Sequence, residues 1–354
     1  MPARGTHEIV ETHDVEVVRS EPLNAEASAR SLHAELTPDG AHFVRSHFRE
    51  PMLDAERHRI RIGGAVATAG EWSVAALRGL ETRTMKVTLE CAGNGRLGMS
   101  PLPRGEPWSL GAVSTAAWTG VPLRTVLEHA TPRDDVCEVL VAGADSGLPE
   151  GESSPIAFER SLPLEKALDP DTLLAYEMNG RPLPFHHGAP VRLLVPRWYG
   201  VASVKWVSRI EALTRPYQGF YQSRRYVYED ASGITPAPVA TMRVRSLIVD
   251  PEEHARVPRG SIVVRGWAWS GSAPVVSVDV ELDGGDDWAP ASLGPMETHA
   301  WRSFQSVRTV AGPGRHVLRS RARDGAGNVQ PEHAPWNRLG YGNDAIAVRV
   351  FAVT

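Results

Sequence analysis

Alternation of apolar and polar residues first appears clearly in "HRIRIGGAV", which predicts a strand beginning near residue 58. "SVAALRGL" opens with a serine cap and predicts a short helix, and "TMKVTLE" predicts the next strand. "PLRTVLEHA" places Leu123, Val126 and Leu127 at helical spacing. "CEVLVAGA" is almost wholly apolar, which predicts a strand covered on both faces. "FERSLPLEKAL" has the pattern of a helix interrupted at Pro163, and "PVRLLVP" and "VKWVSRIEAL" predict two strands. Residues 1 to about 40 are polar and weakly patterned, and predict an extended arm over the surface.

The pattern changes near residue 235. "GITPAPVATM" has the prolines of a linker. Beyond it, "SIVVRGWAWS", "VVSVDVELDGG", "RSFQSVRTV", "RHVLRSRARDGAGN" and "AIAVRVFAV" alternate in period two between Gly, Asp and Asn turns. Strands at this spacing without helices predict an antiparallel β-sandwich. The expected organisation is therefore α+β: a mixed α/β domain over residues 1–238 and an all-β sandwich over 239–354.

Composition narrows the class. The 354 residues include 28 prolines and 32 glycines, which favours short strands and turns. The net charge of −4 and the lack of a basic block argue against nucleic acid or an anionic membrane as partner. Two cysteines, Cys91 and Cys137, make no disulfide framework and no CxxC zinc site. No signal-like apolar segment precedes the fold and no run has the roughly 20 apolar residues of a membrane helix, so a cytoplasmic location is expected.

The candidate chemistry sits in "VTLECAGNGR". Gly93 and Gly95 let the backbone approach a ligand closely, and Asn94 and Arg96 add an amide and a fixed guanidinium fork. A thiol in that setting suits a soft metal carrying anionic groups, or a cysteine nucleophile beside a histidine. Cys137 opens an apolar strand and is expected in the core.

"CAGNGR" resembles the "CAGNRR"-type motif of the sulfite oxidase family of molybdenum enzymes. "HFVRSHF", "EPWSLGAVSTAAWTGVPL", "YEMNGRPLPFHHGAPVRLLVP", "SVKWV" and "PWNRLGYGN" resemble further elements of that family in the same order. The resemblance implies a molybdopterin-binding domain followed by an immunoglobulin-like domain that forms a homodimer. It implies that Cys91 is the metal ligand and that His47, Asp145, His187, Arg192, Ser203 and Lys205 bind the molybdopterin. Arg45 and Arg96 would form the anion pocket, Trp108 its wall, and Tyr226 the active-site tyrosine, with Tyr228 competing through a two-residue slide. The implied activity is oxidation of sulfite to sulfate by oxo transfer, with electrons leaving to a separate acceptor. Another oxo-transfer reaction on the same centre, such as nitrate or S-oxide reduction, and a degenerate non-catalytic relative are the alternatives. No haem-binding segment is visible, so no haem is expected.

Three positions depart from the family pattern. Gly95 stands where many members have arginine, and His186 where an aspartate is common. The order "WNRLG" replaces "WNLRG", which puts Arg338 one residue early and Leu339 in its place. In an extended segment that shift turns the side chain to the other face. Loss of one guanidinium from an oxyanion pocket costs about 1.5–3 kcal/mol.

Overall fold

The computed structural model describes residues 14–229 and 237–354. Two five-stranded sheets form the N-terminal part. One is antiparallel throughout and contains Arg83–Glu90, Val113–Pro122, Leu173–Met178, Arg181–Pro182 and Arg192–Leu194. The other runs Gly70–Ser73, Arg59–Gly64, Val207–Leu213, Glu138–Gly147, Ile156–Pro163, with a single parallel pairing between Arg59–Gly64 and Val207–Leu213. The predicted helices are present: Ser73 caps Val74–Arg78 by accepting from Ala76 N at 3.1 Å, and Leu123–Ala130 buries Leu123, Val126 and Leu127. The C-terminal part is a sandwich of two sheets. One is built on Arg245–Asp250, Gly260–Trp269 and Arg302–Val310, the other on Val275–Leu282, Gly314–Asp324 and Val348–Val353. Val264, Val280, Leu318 and Phe351 fill its interior. Mixed sheets with short helices, followed by a β-sandwich, match the expected α+β class.

Four local expectations change. "FERSLP" is not helical: Ile156–Pro163 pairs antiparallel with Glu138–Gly147, and only Leu164–Ala167 coils. The ladder satisfies backbone groups that a helix broken by Pro163 would leave open. The N-terminal arm lies at the surface over residues 14–23, with Val15–Arg19 extended, but turns into the protein at Asn24; its first thirteen residues lie outside the described part. Asn24–Ala27 is buried throughout, as the middle of a three-stranded sheet with Val15–Arg19 and Val44–Arg45. The linker lies partly outside the described residues, but Val239 and Met242 are buried, so that end is packed. Cys137 is exposed, because it sits just before its strand begins and its neighbours, rather than itself, enter the core.

Candidate active site

The strand Arg83–Glu90 delivers Cys91 to the point where pairing ends. Cys91 N still donates to Ala112 O at 2.8 Å, and Asn94 N closes the turn onto Cys91 O at 2.9 Å. Gly95 has φ +80°, a left-handed conformation that glycine adopts without penalty. A β-carbon there would lie 2.6 Å from Arg245 Nη2, so the guanidinium of a sandwich residue fills the space beside the turn. Arg245 in turn donates to Asn94 O at 3.1 Å and Glu90 Oε1 at 2.7 Å. Glu90 is 1% exposed and also accepts from Asn94 Nδ2 at 3.0 Å and Trp269 Nε1 at 2.9 Å. A buried carboxylate is tolerable only when its oxygens are met in this way. The Cys91 turn is therefore clamped to the second part of the chain, through residues that the sequence did not single out.

Two cavities meet at Cys91. A narrow inner cleft is lined by Asp145, His187, Arg192, Ser203 and Lys205. An outer chamber, about 1720 Å³ out to its mouth, is lined by Arg96, Trp108, Arg225 and Tyr341. Cys91, Arg45, His47 and Tyr226 line both. All eleven residues singled out in the sequence thus line these adjoining cavities: five the inner, two the outer, and four, Cys91 among them, both. Tyr228 lines neither cavity and lies under the Arg243 guanidinium at 4.8 Å, which separates it from Tyr226.

The inner cleft is polar and incompletely satisfied. Asp145 Oδ1, Arg192 Nε and His42 Nε2 are buried there without a hydrogen-bond partner among the described residues. Arg192 otherwise donates to the carbonyls of His187 and Ser203, each at 3.1 Å, and burial pushes its pKa down to about 9. Lys205 Nζ donates to Ser46 Oγ at 2.8 Å and His186 O at 2.9 Å. Burial lowers the pKa of Lys205 against the pull of Glu50, and burial raises that of Asp145 against the pull of Lys205. His186, at the position where an aspartate is common, bonds Glu50 at 2.6 Å. Unmet buried donors and acceptors beside the Arg192 and Lys205 cations suit a polar ligand that carries an anionic group.

The outer chamber is cationic. Arg45 Nη1 donates to Asn24 Oδ1 at 3.1 Å and to Ser46 O. Burial opposes its charge, but its acidic neighbours, at neutral pH the Glu106 carboxylate, raise its pKa and it stays protonated. Arg96 Nε donates to Leu339 O at 3.1 Å and its Nη1 to Glu106 O. The guanidinium lies between Gly93 and Gly105, where added β-carbons would approach it to 2.3 and 2.9 Å. Trp108 is fully buried as a wall, and Glu26 accepts from Ser109 N and Gly111 N to fix the following loop. His47 Nε2 and Tyr226 Oη are 2.6 Å apart. Burial, and then Arg45 and Lys205, hold the His47 pKa well below its ordinary value, while burial raises that of Tyr226, so both are neutral. Arg338 reaches only the mouth, half-exposed and paired with Glu229 at 2.5 Å. Its neighbour Leu339 is buried and contributes its carbonyl to Arg96, as the one-residue shift implies.

Residues 47–221 match the oxidoreductase molybdopterin binding domain and residues 237–350 the Mo-co oxidoreductase dimerisation domain. The sulfite oxidase of Gallus gallus is 37% identical over 347 residues, covering 90% of this chain and 74% of the relative. The chain belongs to the sulfite oxidase family of molybdopterin-dependent oxidoreductases. The mitochondrial sulfite oxidase of Mus musculus is 36% identical over 343 residues, covering 90% of this chain, and the chain spans 62% of that relative's length. The structure of the sulfane dehydrogenase SoxCD from Paracoccus pantotrophus aligns with a TM-score of 0.84 at 29% identity, covering 96% of this chain and 87% of that one.

The site fits the cofactor this membership implies. Among the described residues no group of three His, Cys, Asp or Glu could hold a metal, so Cys91 can contribute one ligand and the rest must arrive with the cofactor. A molybdopterin brings its own two sulfurs, and its ring and phosphate match the unmet groups of the inner cleft.

Proposed function

We propose that this protein is a molybdenum enzyme that oxidises sulfite to sulfate, passing two electrons to a separate acceptor. The balanced reaction converts sulfite and water into sulfate, two protons and two electrons. The observation that carries this reading is the position of Cys91 between a polar cleft with unmet buried groups and a chamber lined by arginines.

Asp145, His187, Arg192, Ser203 and Lys205 would hold the molybdopterin, and Cys91 would anchor its metal. When bound, the cofactor supplies the oxygen-atom and two-electron chemistry that no side chain here can perform. Arg45 and Arg96 bind the anion through guanidinium groups already fixed by neutral acceptors, so no positive charge is cancelled by the bonds that orient them. Trp108 excludes water from one side of the chamber. Tyr226 presents its hydroxyl at the junction of the two cavities, held there by His47. A neutral phenol paired with a neutral imidazole can donate a hydrogen bond at this junction without placing a further charge there. The sandwich supports a homodimer, which light scattering of the purified protein would measure.

Cys91→Ser separates this from a cysteine hydrolase or a non-catalytic relative. The variant should lose sulfite:ferricyanide activity and its molybdenum by elemental analysis, while keeping its dimeric mass. Wild-type protein purified from a molybdenum-replete host without molybdenum would overturn the assignment. Nitrate tested with a reduced dye, in parallel, separates the sulfite reading from oxyanion reduction on the same centre.

A further inference from the structure

The outer chamber carries more positive charge than its recognised pair of arginines. Arg19 is neutralised by Glu106 at 3.1 Å, and Arg338 by Glu229 at 2.5 Å. Arg225 differs from both. It lines the chamber, is half-buried, and makes no side-chain hydrogen bond or ion pair to any described residue. Its neighbour Arg224 faces away and pairs with Glu152 at 2.7 Å. Arg104 also lines the chamber but is exposed at the rim, where solvent screens it.

Arg225 is held by its own backbone. Its N–H donates to Phe220 O at 2.9 Å, closing the turn Phe220–Ser223, and Tyr226 follows with φ 50°. The left-handed residue reverses the chain, so consecutive residues line one cavity: Arg225 the outer chamber and Tyr226 the junction. The charge of Arg225 acts on His47, Tyr221 and Tyr341, which places its field in the deep part of the chamber rather than at the mouth. Arg45, Arg96 and Arg225 reach the same space from three separate segments. Three like charges in one concave site repel one another until an anion enters.

We infer that Arg225 is the third cationic anchor of the substrate oxyanion, a specificity-determining residue that stands in for the arginine displaced to the mouth at Arg338. The inference rests on the sulfite reading above and adds the residue that restores the charge count. A trigonal oxyanion then has one guanidinium available per oxygen, while the Glu106 carboxylate that lines the same chamber is held by Arg19.

The test is titration calorimetry of sulfate, the unreactive product oxyanion, into the molybdenum-loaded enzyme, together with steady-state sulfite kinetics. Arg225→Ala should weaken sulfate binding 10- to 100-fold and raise KM for sulfite comparably, with the loss falling on KM rather than kcat. Arg225→Lys should recover part of both. Arg224→Ala, which removes the same charge one residue away, should stay within twofold of wild type. Unchanged thermal midpoint and pterin content in Arg225→Ala would show that folding is not the cause. Equal sulfate affinity for wild type and Arg225→Ala in a sulfite-active enzyme overturns the role of Arg225 alone. Equal losses in Arg224→Ala and Arg225→Ala also overturn it, by reducing the effect to net charge. A wild-type enzyme that neither binds sulfate nor oxidises sulfite overturns the oxyanion reading beneath it.

Discussion

Replacing Gly93 by alanine tests the oxyanion pocket without touching a charged group. The glycine does not have a positive φ, so alanine is permitted by the backbone. Its β-carbon would lie 2.3 Å from Arg96 Nη2 and 2.6 Å from Cζ, far inside contact distance. The guanidinium has nowhere to retreat, because Gly105 closes its other side and Leu339 O and Glu106 O fix its ends. Arg96 must therefore leave its aim while the fold persists. A hydrogen bond to a charged group is worth about 1.5–3 kcal/mol. Losing one such contact to sulfite raises KM by roughly 10- to 150-fold. Stability should fall by about 1–3 kcal/mol, the cost of overpacking a buried site, which a folded protein tolerates. Sulfite:ferricyanide kinetics and a thermal melt of the same preparation measure both quantities. A KM within twofold of wild type would refute the claim that the Gly93–Gly105 cradle positions Arg96 for the anion. A large fall in the melting midpoint would refute the claim that the effect is local.

Three further outcomes follow from the same geometry. Arg245→Ala leaves the Glu90 carboxylate buried with Asn94 and Trp269 alone, and should cost about 3–5 kcal/mol in urea denaturation. Tyr226→Phe removes the partner of His47 Nε2; it should destabilise the protein by about 1–3 kcal/mol and lower kcat, read from melts and turnover. Acid should weaken the cofactor-free protein through its buried histidines. Burial holds His42 at about 3 against an ordinary 6.5, so below 6.5 the unfolded chain takes up a proton that the fold refuses. Between pH 7 and 5.5 this residue alone removes roughly 1.3 kcal/mol, and His47 and His187 act with the same sign. Asp145, raised by burial to about 6, opposes them in part by gaining stability as the pH falls, whereas Lys205, lowered by burial to about 7, acts with the histidines. A urea midpoint that is flat over this range would contradict the neutral burial of the three histidines.

The alternation past residue 238 determines the strands of the sandwich, because a two-residue period leaves one face to bury whatever lies far away. The strand, the cysteine and the glycine turn likewise follow from "VTLECAGNGR", since a strand end and a tight turn are local events. "FERSLP" shows the limit: its pattern suits a helix, and only the neighbouring strand Glu138–Gly147 decides otherwise. The same holds for Asn24–Ala27, whose polar residues are buried because Arg45, Ser46, Ser109 and Gly111 come to meet them.

The chain by itself therefore points to the thiol and Arg96 through a strand end and a glycine turn, and to Arg45 and Tyr226 through the resemblance of their segments to the sulfite oxidase family. It does not say which positive charges are free. Arg19 and Arg338 are cancelled by Glu106 and Glu229, whereas Arg225 has no such partner among the described residues, and nothing in "SRRY" distinguishes Arg224 from Arg225. Nor does it pair His47 with Tyr226, which lie 179 residues apart, or Glu90 with Arg245, 155 apart. Contacts at such separations leave no local signature. They exist only once two sheets and a sandwich have buried enough apolar surface to hold those side chains together, and this packing turns a list of residues into a pocket.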